Sequence, residues 1–138
     1  MTSLYMLDTN AVSVVMRGNA SMDERLLQLD HADWCISAVT HSEICFGLAL
    51  RPHASALERA ARAFFAVATT LPWDKGAAEG HGRLRAQLRE AGMPIGDFDE
   101  MIAAHALSVG AVLVTDNERH FRRVDGLVVE NWVRMKSD

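Results

Sequence analysis

The stretch that decides the fold is Ser3-Leu4-Tyr5-Met6-Leu7-Asp8-Thr9-Asn10, near the beginning of the chain. Its first five residues form a short, mainly apolar run, which predicts a β-strand over residues 3–7. The next three residues favour helix N-caps and turns, so a helix should begin almost at once, near residues 11–17, and end at Gly18-Asn19. A strand followed directly by a helix is a typical unit of an α/β fold with a parallel sheet.

The rest of the chain repeats this alternation. Further strands are predicted over residues 34–37, 70–73, 111–115 and 127–130, and further helices over 22–29, 38–51, 54–68, 75–91 and 97–109. The last helix is apolar almost all round and is expected to be buried. The sequence therefore predicts an α/β fold in which helices flank a short parallel sheet of about four to five strands.

Length and composition favour one domain. The chain has 138 residues, 49% of them hydrophobic, and no linker-like stretch or internal repeat divides it, so we expect a single domain over residues 1–138. The first residues lack the pattern of a signal peptide, and the apolar runs are shorter than the ~20 residues that cross a bilayer. We therefore expect a cytoplasmic protein that makes no use of a membrane.

The net charge, the two cysteines and the absence of glycine-rich motifs limit the functions that the chain could have. A net charge of −4 does not exclude a nucleic-acid partner, because a cation bound among gathered acids reverses the local sign. Cys35 and Cys45 form no disulfide or zinc motif, and both are expected to be small core residues. No GxxxxGK[ST], GxGxxG or GxSxG motif is present, which disfavours nucleotide-binding enzymes and serine hydrolases.

Acidic side chains stand at four places that a parallel sheet would bring to one edge. Functional residues of such sheets lie beyond the carboxyl ends of the strands. Asp8 follows the first strand and Asp116 follows the strand over residues 111–115, whereas Glu43 and Asp99 lie on helices. Clustered carboxylates repel one another unless a cation neutralises them, and oxygen-only ligands suit Mg²⁺ or Mn²⁺.

Two of these acids also have a purely structural interpretation. Asp8 is a good N-cap for the first helix, although Thr9 or Asn10 could cap it instead and leave Asp8 free. Asp116 could equally make a turn or a short cap. The prediction of a metal site therefore depends on the four acids taken together.

Glu43 is the acid that is hardest to explain structurally. Helical spacing places it on one face with Val39, Phe46 and Leu50. A carboxylate in such an apolar stripe is costly unless it is paired or binds a metal. The alternatives are that Glu43 reaches solvent at the edge of the stripe, or that it pairs with an arginine.

Three acids open the helix over residues 97–109. Asp97 as the N-cap and Glu100 three residues later have the spacing of a capping box, so we interpret them as helix-capping residues. Asp99 is left over in the first turn of the helix. A favourable interaction with the helix dipole is the alternative to a ligand role for Asp99.

Several motifs, taken in order, resemble the PIN-domain signature of VapC toxins. They are Leu7-Asp8-Thr9-Asn10; Ser37-Ala38-Val39-Thr40-His41-Ser42-Glu43 with Gly47-Leu48; Ile95-Gly96-Asp97-Phe98-Asp99 with Ile102-Ala103-Ala104-His105-Ala106-Leu107; Val114-Thr115-Asp116-Asn117 with Phe121; and Gly126-Leu127 ahead of Val129-Glu130-Asn131-Trp132. The resemblance covers essentially the whole chain. It implies a PIN-domain fold and a metal-dependent endoribonuclease that is the toxin of a VapBC toxin–antitoxin pair.

The resemblance also implies roles for particular residues. Asp8, Glu43 and Asp99 would be the core metal-binding acids, with Mg²⁺ or Mn²⁺ orienting a water for attack on a phosphodiester. The fourth acidic position of the family falls within residues 115–121. We expect Asp116 to complete the site, although Asn117 occupies the place that often holds an acid.

Partners are implied as well. The substrate would be structured RNA, either tRNA or rRNA, and a VapB-like antitoxin would lie over the active-site groove, with an arginine reaching the acids. Relatives are usually homodimers that pair again into larger toxin–antitoxin assemblies. Arg83, Arg85 and Arg89 are candidate RNA contacts, although a solvated helix face explains them equally well.

Two other functions compete with this one. The first is a catalytically silent PIN-fold module that only associates with an antitoxin. The second is a small phosphotransfer domain, such as a receiver or a haloacid-dehalogenase-like enzyme, which also gathers acids around Mg²⁺. The phosphotransfer enzymes need a DxD motif after the first strand or a phosphoacceptor aspartate with a later lysine, and Asp8-Thr9-Asn10 is not DxD.

Overall fold

The computed structural model describes residues 3–133. The strands are β1 (Tyr5–Leu7), β2 (Trp34–Ser37), β3 (Thr70–Leu71), β4 (Val112–Val114) and β5 (Val129–Glu130). The helices are α1 (Thr9–Met16), α2 (Ala20–Leu27), α3 (Ala38–Leu50), α4 (Ser55–Val67), α5 (Lys75–Glu90), α6 (Asp97–Ser108) and α7 (Glu118–Phe121), and a 3-10 turn over His31–Asp33 precedes β2. Within residues 3–133, no helix has the length and apolar character that a membrane span requires.

The five strands form one parallel sheet in the order β3-β2-β1-β4-β5. From β1 the chain builds the sheet outward through β2 and β3, and it then returns to the other side of β1 to form β4 and β5. The strand order therefore reverses between β1 and β4. Open parallel sheets bind their ligands at this switch point, beyond the carboxyl ends of the strands. The predicted α/β fold with four to five parallel strands is confirmed.

Alternate strand residues face two apolar cores on opposite sides of the sheet. Met6, Cys35 and Leu113 belong to one core, and their neighbours Leu7, Ile36 and Val114 belong to the other. All six side chains are buried. Burial on both faces is expected for a parallel sheet. Packing on both sides holds in place the strand ends near which the candidate site lies.

Helix α3 differs from the prediction in how it is buried. Its buried residues are Val39, Thr40 and Ile44. Phe46 and Leu50, expected on a buried apolar stripe with Glu43, are each 65% exposed. The prediction that Cys45 lies in the core is also wrong, because Cys45 is exposed while Cys35 is buried. A helix that is apolar on several faces does not reveal from its sequence which face meets the core.

The start of α6 also differs from the predicted capping box. Gly96, with a φ of 109°, is the N-cap, and Asp97 is the first helical residue. The interpretation of Asp97 as the N-cap is therefore wrong by one position, since glycine adopts the positive φ that leads into the helix. Glu100 still bonds the backbone that precedes α6, because its Oε2 accepts a hydrogen bond from the N–H of Ile95 at 3.1 Å.

Candidate active site

Asp8 lies at the carboxyl end of β1, beside the switch point. Its backbone N–H donates to the carbonyl of Val114 at 3.0 Å, which continues the pairing of β1 with β4. Its Oδ1 accepts from the N–H of Ala11 at 2.7 Å, so Asp8 itself caps α1. Its Oδ2 accepts from the hydroxyl of Thr115 at 2.5 Å. Capping and a place in the site are therefore compatible, since each carboxylate oxygen retains a second lone pair.

Glu43 reaches the same edge of the sheet from α3. Its Oε1 accepts a hydrogen bond from the hydroxyl of Thr9 at 2.6 Å. The hydroxyl oxygens of Thr9 and Thr40 are 3.4 Å apart. Because Asp8 caps α1, the Thr9 side chain is available to hold Glu43 close to the end of β1. The Glu43 side chain is half-buried, and no ion pair joins it to an arginine of residues 3–133.

Asp99 completes a cluster of three interacting carboxylates. It lies in the first turn of α6 and is half-buried. Burial, and to a smaller extent the negative charges of Asp99 and Glu43, raise the pKa of Asp8 to about 7, against the lowering effect of its two hydrogen bonds. Burial, and then the charge of Glu43, also raise the pKa of Asp99, whereas His120 lowers it. Three of the four acids predicted from the sequence are thus brought together.

The fourth predicted acid, Asp116, is exposed and makes a different contact. Its Oδ1 accepts a hydrogen bond from Nδ2 of Asn131 at 3.1 Å, and the same Nδ2 lies 3.0 Å from Oε1 of Glu118. The neighbouring Asn117 directs its side-chain amide to His120 instead, at 2.8 Å from Nδ1. A role for Asp116 as a ligand stays a prediction.

His120 is a residue of this region that sequence analysis missed. It lies on α7, is half-buried, and interacts electrostatically with Asp99. A four-residue helix shows no periodicity to predict it, and a single histidine forms no ligand motif. The available signal was its position, since it falls within residues 115–121, where the fourth acid was expected.

The chemistry of the cluster fits a hydrated divalent cation rather than a closed metal cage. Among residues 3–133, no three His, Cys, Asp or Glu side chains lie close enough to hold one ion between them. Mg²⁺ usually keeps several waters and takes only one or two carboxylates. Burial and, to a smaller extent, neighbouring carboxylates raise the pKa values of Asp8 and Asp99, and a bound cation would favour their ionised forms. All donors are oxygens, which suits Mg²⁺ or Mn²⁺ better than zinc.

Fold and site together define an α/β protein with an acidic cluster at the switch point of a parallel sheet. The family model for the PIN domain matches residues 5–127, and the chain belongs to the PIN-domain family. It is 38% identical over 129 residues to the tRNA(fMet)-specific endonuclease VapC of Shigella flexneri, which covers 93% of this chain and 97% of that protein. It is 34% identical over 132 residues to the protein of the same name from Salmonella typhimurium, again covering 93% and 97%.

Solved structures agree with this assignment. The VapBC2 complex of Rickettsia felis, bound to a DNA fragment from its promoter, matches with a TM-score of 0.87 at 27% identity, over 94% of this chain and 98% of that one. DNA-bound VapBC from Salmonella typhimurium matches with a TM-score of 0.84 at 35% identity, over 96% and 99%. The resemblance to PIN-domain VapC proteins is thus confirmed, and the phosphotransfer alternative is wrong.

Proposed function

We propose that this chain is a metal-dependent endoribonuclease and the toxin of a VapBC-type pair. The observation that carries the proposal is the convergence of Asp8, Glu43 and Asp99 at the switch point of the sheet. Asp8 is only 3% exposed, and its pKa is raised to about 7. Such a cluster is unfavourable unless it binds a cation, and perturbed acids of this kind concentrate at functional sites. The relatives named VapC endonuclease or ribonuclease point to the same activity.

The protein's part in this chemistry is to hold the three carboxylates in fixed positions. A divalent cation bound there supplies a water of lowered pKa and stabilises charge that develops on the leaving oxygen. Thr115 and Ala11 fix both oxygens of Asp8, and Thr9 fixes Glu43. These contacts hold Asp8 and Glu43 at the end of β1, and waters would fill the cation's remaining coordination positions.

We expect the substrate to be tRNA, acted on in the cytoplasm. Relatives from Shigella flexneri and Salmonella typhimurium are named as specific for tRNA(fMet), which makes initiator tRNA the first candidate. Arg83, Arg85 and Arg89 are exposed along α5 and remain the predicted phosphate contacts. Binding through phosphates would weaken steeply with added salt.

The partner is expected to occupy an exposed apolar groove beside the acids. A cavity of about 430 Å³ extends from Glu43 past Phe46 and Leu50 to Arg17 and Arg51. An apolar segment of a VapB-like antitoxin would cover the two exposed side chains, and a basic residue at its inner end would face the carboxylates. The similarity to VapBC complexes supports this partner, and we extend the proposal to a homodimer within a larger assembly.

The competing proposal is a silent module that binds an antitoxin and cleaves nothing. The observation that favours it is that residues 3–133 hold no ready-made group of three ligands around one ion. The presence of all three acids, each fixed or perturbed as described, weighs against it.

Cleavage of RNA by the purified chain separates the two proposals. Initiator tRNA and total cellular RNA would be incubated with Mg²⁺, Mn²⁺ or EDTA, using wild type, Asp8→Ala and Asp99→Ala. We expect discrete fragments with either metal, and none with EDTA or with the variants. A folded wild type that binds antitoxin but cleaves no RNA would support the silent module.

A further inference from the structure

A continuous series of hydrogen bonds leads from the acidic cluster to α7. The hydroxyl of Thr115 donates to Asp8, and the same oxygen accepts from the backbone N–H of Asn117 at 2.9 Å. The side-chain Nδ2 of Asn117 then lies 2.8 Å from Nδ1 of His120. His120 in turn interacts electrostatically with Asp99. Three residues after β4, Thr115, Asn117 and His120, therefore connect two of the three carboxylates.

The placement of the Asn117 amide nitrogen beside Nδ1 indicates one tautomer of the neutral His120 ring. An amide NH₂ can only donate, so Nδ1 accepts, and the proton of the neutral imidazole is on Nε2. The Asn117 side chain makes no capping bond to α7, although Asn117 is the N-cap residue. Its contact with His120 therefore accounts for the amide side chain at this position.

The two arginines that follow α7 are engaged elsewhere. Arg122 pairs with Glu118 at 2.9 Å, and Nη1 of Arg123 donates to the carbonyl of Pro94 at 3.2 Å. His120 interacts electrostatically with Asp99, so its ring lies near the acids and is a candidate hydrogen-bond donor to a ligand bound there. A phosphodiester that approaches three acids needs such a donor, because its own charge has the same sign.

We propose that His120 is a catalytic residue whose Nε2–H donates a hydrogen bond to a phosphate oxygen of the bound RNA, with Asn117 and Thr115 as the residues that position it. This inference rests on the proposed nuclease function. In the neutral ring with Nδ1 accepting from Asn117, the proton is on Nε2, on the opposite side of the ring, where it is available to a phosphate oxygen. Because Asp8 and Asn117 both bond the Thr115 hydroxyl, Thr115 would keep the His120 donor in a fixed position relative to the cation site.

The first test is the rate of tRNA cleavage with Mg²⁺ by wild type, His120→Ala and His120→Gln. Loss of a hydrogen bond to a charged group predicts that kcat/KM falls about 10- to 100-fold in the alanine variant. Glutamine places an amide N–H close to the position of Nε2 and should recover much of that loss. His31→Ala, an exposed histidine, is the matched control and should cleave like wild type.

The second test is independent of activity. Long-range ¹⁵N NMR of the histidine rings should show the Nε2–H tautomer for His120 in wild type, and a loss of that preference in Asn117→Ala. An Nδ1–H tautomer in wild type, or His120→Ala cleaving within twofold of a wild type that Asp99→Ala inactivates, would overturn the inference and leave the nuclease assignment standing. A wild type that cleaves no RNA would overturn both.

Discussion

Thr115 and Asp8, 107 positions apart in the chain, are joined by a hydrogen bond of 2.5 Å where the paired strands β1 and β4 end. The bond favours the ionised form of Asp8 and so opposes part of the effect of its burial. Because the strand order reverses between β1 and β4, the bond lies at the switch point of the sheet. The bond therefore fixes Asp8 at the edge of the sheet, whereas Glu43 and Asp99 reach the site from α3 and α6.

Replacing Thr115 with valine should weaken the site without removing an acid. Asp8 would lose a donor, so its pKa would rise further and cleavage of tRNA at pH 7 would fall about tenfold. Thr69→Val, at an exposed threonine, is the control for the same change of side chain. Equal rates for Thr115→Val and wild type would show that the bond contributes nothing to activity.

Asp8→Asn should stabilise the metal-free protein while it abolishes cleavage. The folded pKa of Asp8 is about 7 against an ordinary value of 3.8, so the folded protein retains a proton that the unfolded chain releases. The contribution of Asp8 to stability therefore decreases as pH rises from about 4 to 7. Asparagine keeps the N-cap without the buried charge, and we expect a gain of about 1–3 kcal/mol at pH 8.

Urea denaturation in EDTA at pH 4.5 and pH 8 would measure this effect. The difference between Asp8→Asn and wild type should be small at the lower pH and clear at the higher one. Asp97→Asn, which removes an exposed carboxylate, should change little at either pH. A variant that is less stable than wild type at pH 8 would contradict the proposed cost of the Asp8 charge.

Addition of Mg²⁺ or Mn²⁺ should raise the thermal stability of the protein. At a concentration ten times the Kd, binding to the folded state alone contributes about 1.4 kcal/mol, which corresponds to roughly 5 °C in Tm for a chain of this size. Asp99→Asn should lose most of this shift, because a ligand and part of the repulsion that the cation relieves are both removed. An equal shift in wild type and variant would place the cation elsewhere.

Phe46→Asp should weaken antitoxin binding and leave cleavage of tRNA unchanged. Phe46 is 65% exposed in the apolar groove, so a charge there opposes burial by a partner, and we expect a loss of affinity of about 100-fold. Leu27→Asp, at an apolar residue that is 86% exposed outside the groove, is the control. If isothermal titration calorimetry gives the same antitoxin affinity for both variants, this groove is excluded as the antitoxin-binding site.

Much of the fold and the convergence of three candidate acids could be predicted, because their signals are local. A strand that ends in Asp8, and acids placed on predicted helices, require only periodicity and the rules of parallel sheets. The prediction that Asp97 is the N-cap of α6 was wrong because the sequence does not show the positive φ of Gly96. The prediction that Cys45 is buried was wrong because α3 leaves part of its apolar surface exposed beside the site. The apolar pattern alone does not show which part of that surface is exposed.

The residues that support the acids could not be predicted, because their partners are distant in the chain. Thr9 bonds Glu43 across 34 positions, and Thr115 bonds Asp8 across 107. His120 has no motif, and α7 is too short to give a period. The contacts of Asp116 likewise depend on Asn131, which sequence analysis did not connect with it.

The most direct test of the central claim compares Asp99→Asn with Asp97→Asn in cleavage of initiator tRNA with Mg²⁺. Both variants remove one carboxylate from the first turn of α6, but only Asp99 interacts with the acidic cluster. We predict that Asp99→Asn lowers kcat/KM by at least about 100-fold and that Asp97→Asn stays within about twofold of wild type. Equal activity of the two variants would contradict the assignment of the cluster as the nuclease site.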